Sequence, residues 1–396
     1  MFVKTKKCNI STIHLECIAI QIIPLKAYKI KEEFKMEKLK LGLVGCGKMM
    51  KNHVKGVNQM DNVEIVAVCD LNRKRAEVVA ESLGTNPKIY TDYMDPGFAE
   101  DIEAVLIALP HEWHYKCGMY FAQQKKHILM EKPLCNSEEE CLNLIEKCKQ
   151  KGVTLMCAYP VRHWPGILKL KELVDSGEYG EIFQMSAWTE QLTGIKHNPM
   201  LEDYEWTADS IIETSNSGGG QLFNHGCHYI DLLLWFLGNP VCGSHIGTTK
   251  GTPWMLREGT SQVSLKFESG AIGYHGATWG ARGSRLRYDF QIHTTKGMLE
   301  YEHESGEVRF YDGLAVHIPG EERNTQRFTL LWKRDSSKTS KETQYEIGHF
   351  VDCVRTGKRP ITDGEISLEG LRVIWALYNA EKNNTLADLR GIGFDK

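Results

Sequence analysis

The chain is poor in the features that mark the simplest special classes. Its 12 cysteines include no C-x-x-C pair, so zinc ribbons and thioredoxin-type redox sites find no support, and their density is far below that of a disulfide scaffold. Free thiols in a reducing compartment are the reading that remains. No stretch approaches the about 20 consecutive apolar residues of a membrane span. Neither sign of charge dominates: 48 Lys and Arg stand against 51 Asp and Glu, a net of −3, which removes the basic footprint of a nucleic-acid binder. With 36 Gly and 12 Pro there is too little of either for a collagen-like or low-complexity polymer. What is left is ordinary globular material, 42% apolar and 25% charged. Its 396 residues make two to three domains at about 150 residues each, enough to bury sizeable cores.

Residues 1–35 differ from the rest. Lys4, Lys6 and Lys7 precede a short apolar run, 17–25, that Gln21 interrupts and Pro24 nearly ends. No small-residue cleavage site or twin-arginine pair follows, so this is not read as an export signal. The expectation is an extension (1–38) without a targeting role, with Met36 just before the first strand, and a protein that works in the cytoplasm.

From Leu39 the pattern becomes regular. Apolar runs at 39–44, 63–69, 104–109, 128–130 and 153–157 alternate with helical spacing at 73–83, 112–125 and 137–150. Such alternation predicts crossover units and a parallel, doubly wound α/β sheet over 39–160. Ser137 followed by Glu140 is a capping box at a helix start. After Pro160 the grammar changes. A helix at 167–176 leads to a strand at 181–191, a polar, glycine-rich passage ending in Gly218-Gly219-Gly220, and a strongly apolar helix over 222–237. Alternating strands then fill 241–333, and helices return at 345–355 and 365–382. The expectation for 161–396 is an α+β domain with a large, mainly antiparallel open sheet.

Gly45-Cys46-Gly47-Lys48-Met49-Met50 lies between a strand and a helix. Two glycines there let the backbone turn tightly and approach a pyrophosphate, whose charge the helix N-terminus holds. Met50 stands where the usual fingerprint has its third glycine. Asp70 ends the second strand, where a carboxylate accepts both ribose hydroxyls of NAD and repels a 2′-phosphate; Arg73 nearby leaves NADP open. Cys46 reads as a small residue rather than a nucleophile.

Lys132, in Glu131-Lys132-Pro133, closes a strand of the parallel sheet, the end at which such sheets bind ligands, although a lysine there is commonly just a solvated terminus. The sequence leaves both isomers of the Lys132–Pro133 bond open. Asn224 and His228, four apart at the start of the apolar helix, share a helical face. A histidine in such a place is more often structural, yet an imidazole suits a base that takes a hydroxyl proton at neutral pH. His225 points elsewhere. His111-Glu112-Trp113-His114 lacks the H-E-x-x-H spacing and starts a helix rather than binding a metal.

Five segments together carry a resemblance: LGLVGCGKMMKNH (41–53), AVCDLNRKRA (67–76), DIEAVLIALPHEWH (101–114), KKHILMEKPL (125–134) and GGGQLFNHGCHYIDLLLWFLG (218–238), with a weaker sixth at GHFVDCVRTGKRP (348–360). In this order they resemble the Gfo/Idh/MocA family of glucose–fructose oxidoreductase and inositol dehydrogenase. The resemblance implies a Rossmann domain and a second domain whose open sheet is both active-site wall and oligomer interface, in a homodimer or homotetramer. It makes Lys132 and His228 catalytic. Asn224 replaces an aspartate common in the family; an amide orients a hydroxyl but cannot take its proton, which leaves that task to His228. The implied cofactor contacts are Gly45, Cys46, Gly47, Lys48, Met49, Asp70, Arg73, Leu109, Pro110, His114, Glu131 and Lys132; Arg162, His163, Trp188 and His225 are implied at the substrate.

The reading is an NAD-dependent oxidoreductase, NADP being possible, that acts on a secondary hydroxyl of a sugar, sugar derivative or cyclitol. No metal, nucleic-acid or membrane partner is expected. The alternatives are an NADPH-dependent keto-sugar reductase and a non-catalytic dinucleotide- or sugar-binding regulator on the same fold.

Overall fold

Short apolar runs, each bounded by a glycine or a polar turn, build the first sheet. In the computed structural model, which describes residues 37–193, 218–286, 288–316, 325–335 and 342–392, these are β1 (Leu39–Val44), β2 (Val63–Cys69), β3 (Lys88–Tyr90), β4 (Ala104–Ile107), β5 (His127–Glu131) and β6 (Leu155–Ala158). All neighbours pair in parallel, in the order β3-β2-β1-β4-β5-β6. Helices α1 (Lys48–Val57), α2 (Arg73–Ser82), α3 (Pro96–Asp101), α4 (His114–Gln123) and α5 (Glu138–Lys151) form the crossovers. Buried on both faces, β4 reads as unbroken Ala-Val-Leu-Ile. The leader and the passage 194–217 lie outside the described residues.

Two elements of this sheet carry too little pattern to be read from sequence. β3 has only three residues, and α3 has six, started by Pro96 and by the Asp95 carboxylate accepting from Gly97 N. The helix expected at 112–125 opens instead as a 3-10 turn, His111–Trp113, before α4. Ser137 caps α5 through the Glu140 amide, but Glu140 Oε2 takes the amide of Asn136 rather than completing the box on Ser137.

The second sheet has nine strands. α6 (Pro165–Asp175) precedes β7 (Ile182–Glu190); a π-helical turn, Leu222–Gly226, leads directly into α7 (Cys227–Leu237). Then come β8 (Pro240–Thr248), β9 (Thr260–Phe267), β10 (Ile272–Thr278), β11 (Tyr288–Thr294), β12 (Gly297–Glu302), β13 (Glu307–Val316) and β14 (Thr325–Lys333). The chain ends its described part with α8 (Thr343–Thr356), α9 (Gly364–Lys382) and the two-residue β15 (Ala387–Asp388). The order is β14-β13-β12-β11-β7-β10-β9-β8-β15, antiparallel throughout except for the β7–β10 pair. Register sets the two faces. His245, Val263, His275, Ala187, Phe290, Tyr301 and Val308 form one cross-strand row and are all buried, with Tyr229 of α7 stacked flat on His275 at 4.6 Å. The neighbouring residues Ile246, Trp188 and Asp289 point to the opposite face.

The chain also returns to the first sheet, which a division at residue 160 does not anticipate. Ile347, Phe350 and Val351 of α8 pack in one cluster with Leu41, Met50 and Val54. Thr343 Oγ1 donates to Asn52 O at 3.0 Å, and a Cβ on Gly56 would lie 2.3 Å from that hydroxyl and 2.8 Å from Gln344 N. Gly56→Val is therefore expected to destabilise the protein by about 1–3 kcal/mol through overpacking, read as a lower urea midpoint. A midpoint equal to that of the parent would show that this contact gives way freely.

Candidate active site

The site forms where the strand order reverses, at the carboxyl ends of β1, β2, β4 and β5, the position at which doubly wound sheets bind ligands. Gly45 has φ +87°, and a Cβ there would sit 2.4 Å from Ala108 O, so only glycine makes this turn. Leu109 leans over the same turn. Gly47 is the N-cap of α1 and supplies no side chain to the first amides, so no cap side chain fills the positive end of the helix dipole there. Lys48 is exposed at the first helical position and Met49 half-buried, while Met50 is fully buried in the core where the third glycine would stand. Asp70 accepts from Cys46 N and Asn72 N, both at 2.8 Å, and is thereby fixed at the end of β2. Burial, followed by the field of Asp70, pushes the Cys46 thiol well above its ordinary range, so it is held protonated. Arg73 lies outward, paired with Glu77 along α2; Arg75, not singled out from sequence, is the cation whose field reaches Cys46. A glycine-only turn, a helix start with glycine at its N-cap and a fixed carboxylate are the parts a dinucleotide requires.

The second half of the site is carried across from the other sheet. Lys132, at the end of β5, sends Nζ to the main-chain O of Asn224 at 2.7 Å and to its Oδ1 at 3.2 Å. The Lys132–Pro133 bond is cis. Asn224 lies in the π turn and His228 is the second residue of α7, so the spacing between them is not that of a regular α-helix, the geometry expected from sequence. His228 is 5% exposed, its ring edge-on to Tyr159 at 5.4 Å and to His225 at 5.5 Å. His225 is half-buried beside it. The turn is anchored from behind: Tyr378 OH donates to Glu258 and accepts from the amides of Gly220 and Phe223, while Glu258 also accepts from Leu222 N. Tyr378 and Glu258 are far apart in sequence and from the turn, and no local pattern points to them.

Several residues implied at the site are placed elsewhere. Arg162 is 2% exposed, with Nε 3.0 Å from Asp231, Nη1 on Ile361 O and its guanidinium over Trp235 at 4.6 Å, the arrangement of a core ion pair. His163 is likewise buried, 5.1 Å from the His349 ring, and burial depresses it to about 3, which keeps it neutral. Trp188 falls on the face of the second sheet that points away from α7, against Tyr274 at 5.0 Å, because its neighbour Ala187 points inward. His114 is fully buried between Pro133 O at 2.8 Å and Leu109 O at 2.9 Å, so it braces two strand-end loops. Pro110 is exposed beside it. Glu131 is 4% exposed and meets His53 Nε2 at 2.7 Å, which turns that oxygen towards α1. Among the described residues no three His, Cys, Asp or Glu side chains gather to hold a metal ion.

Comparison with known proteins bears on the fold and the family. Residues 39–159 match the model of an oxidoreductase family with an NAD-binding Rossmann fold, and residues 167–300 match the GFO/IDH/MocA C-terminal domain. Inositol 2-dehydrogenase of Salmonella typhimurium (strain LT2) is 27% identical over 241 residues, 58% of this chain and only 66% of that protein. The scyllo-inositol 2-dehydrogenase (NAD(+)) of Bacillus subtilis (strain 168) is 28% identical over 353 residues, 84% of this chain and 91% of that protein. Among solved structures, a levoglucosan dehydrogenase in complex with NADH and L-sorbose superposes with a TM-score of 0.75 at 21% identity, covering 89% of this chain and 99% of that one. That likeness speaks for the fold.

Proposed function

Because the chain belongs to the GFO/IDH/MocA oxidoreductase family, we propose that it is an NAD-dependent dehydrogenase acting on a secondary hydroxyl of a sugar, sugar derivative or cyclitol. The observation that carries this reading is the meeting of Lys132 with the turn that leads to His228, at the same strand-end edge of the parallel sheet as the glycine turn after β1. A bound nicotinamide supplies the acceptor for the hydride. The chain does the rest. The Lys132 ammonium donates a charge-assisted hydrogen bond to the reacting oxygen and stabilises the negative charge that grows on it. His228 takes the hydroxyl proton. The Asn224 amide orients the substrate, since it has no lone pair basic enough to be protonated there. The pyrophosphate is held by the α1 N-terminus, and the adenosine ribose by Asp70.

The relatives named for inositols make a cyclitol the first substrate to try, with aldoses and sugar acids beside it. Asp70 decides the cofactor. Asp70→Asn is expected to weaken NAD binding by about 10–100-fold, the worth of a charged hydrogen bond, and to remove the bar to NADP. Unchanged cofactor selectivity in this variant, measured by initial rates with both dinucleotides, would favour the NADPH-dependent keto-sugar reductase.

The face of the second sheet that carries Trp188 also carries Ile246, 71% exposed, Ile272, 52% exposed, and Leu330, 48% exposed. That apolar surface suits a second copy of the chain, and a homodimer or homotetramer is proposed on it. The ten described cysteines are all free thiols, which supports a reducing compartment such as the cytoplasm.

A further inference from the structure

Behind the lysine lies a buried ionisable cluster that the mechanism above does not use. His53 of α1 has no exposed side-chain surface. Its Nε2 meets Glu131 Oε1 at 2.7 Å, and its Nδ1 faces Glu346 Oε1 of α8 at 3.8 Å; Glu346 is itself fully buried. The second oxygen of Glu131 accepts the backbone amide of Lys132 at 3.1 Å. Three elements therefore converge on one imidazole: the helix that starts at the phosphate-binding turn, the end of the strand that bears the lysine, and the helix that returns from the second sheet.

We propose that His53 is a positioning residue for the reaction: it holds the Glu131 carboxylate, which holds the Lys132 backbone, and so sets the lysine in register with the cofactor-binding helix. This rests on the role given to Lys132 above. The chemistry favours it over a purely structural pair. A carboxylate this deep would cost much to leave unpaired, so its orientation is held by protein groups, the imidazole at 2.7 Å among them, and not by solvent. Lys132 must span from β5 to Asn224, and a displacement of about 1 Å at its root is enough to cost on the order of 100-fold in rate. The cofactor-binding helix has its own hold on the core through Met50 and Val54, so its amides stay in place when His53 is changed.

The test is made on the full chain with His53→Leu, His53→Gln, Lys132→Ala and the His53→Leu/Lys132→Ala double variant. Turnover is measured with the best substrate from the cyclitol and sugar panel, and NAD affinity by calorimetry without substrate. His53→Leu is expected to lower kcat by about 10–100-fold with NAD affinity close to parental. His53→Gln keeps an N–H for Glu131 and is expected to recover most of that loss. Because His53 acts through the lysine, His53→Leu should cost nothing further once Lys132 is gone. A further loss of about tenfold or more in the double variant, or parental kcat in His53→Leu, overturns the proposal. So does a comparable loss of NAD affinity, which would place the effect in the phosphate turn. If His53→Leu does not fold, His53→Ala, which likewise removes the N–H offered to Glu131, carries the same comparison with and without Lys132→Ala. Lys132→Ala at parental turnover would be seen in that single variant alone; it would remove the lysine from the mechanism and the positioning role with it.

Discussion

Lys132→Ala is expected to lower kcat by about 100–1,000-fold, the usual effect of deleting one preorganised donor to a developing oxyanion. NAD affinity should stay close to that of the parent, because the α1 N-terminus and Asp70 lie on other strand ends. The geometry makes the effect specific. Nζ is already held by two oxygens of Asn224 from the π turn before α7, so the ammonium is aimed before substrate arrives. Preorganisation of this kind lowers the barrier without a cost of reorientation during the reaction. Steady-state kinetics with calorimetry on the same preparation separates the two readouts. Equal losses in kcat and in NAD binding would mean that Lys132 supports the cofactor rather than the chemistry.

Arg162→Met is expected to destabilise the fold by about 3–5 kcal/mol, because it leaves the Asp231 carboxylate without its cation in a site 1% exposed. The loss should depend on pH. Burial raises Asp231 from its ordinary range to about 6, with Arg162 opposing the shift. A carboxyl raised in the folded state holds its proton more tightly there than in the unfolded chain. Its ionisation therefore costs stability as pH rises from about 4 through about 6, and protonation returns that stability on acidification. Without Arg162 the opposing influence is gone and the folded value rises further. The gap between variant and parent should accordingly be widest above pH 7 and narrow towards pH 5, measured by urea midpoints. A gap that stays constant across that range would show that Asp231 does not titrate with folding.

The parallel sheet was legible because its strands are short apolar runs separated by helices of the right length, and Gly45, Asp70 and Lys132 each sit at the end of such a run. Position along the chain was enough to bring them to one edge. The second half was legible only through resemblance to the family, since nothing local says that Asn224 will meet a lysine 92 positions earlier. Arg162, His163 and Trp188 show the limit from the other side. Whether a polar residue faces the site or the core depends on which element covers it. For Trp188 that turns on the strict alternation of β7, and for Arg162 on an aspartate that arrives with α7. His53 was within reach: Met50, His53, Val54 and Val57 have the spacing of one apolar helical face, which buries the histidine among them. Its partners Glu131 and Glu346 could not be assigned to it, because α8 returns to the first sheet from nearly three hundred residues away.

The most direct measurement is NADH formation by purified protein and by Lys132→Ala, side by side, across inositol isomers, aldoses and sugar acids. The expected result is turnover with NAD on at least one polyol by the parent and a loss of about 100-fold or more in the variant. Binding of NAD with no turnover on any polyol would contradict the dehydrogenase reading and favour a dinucleotide-binding regulator, and equal turnover by both proteins would remove Lys132 from the chemistry.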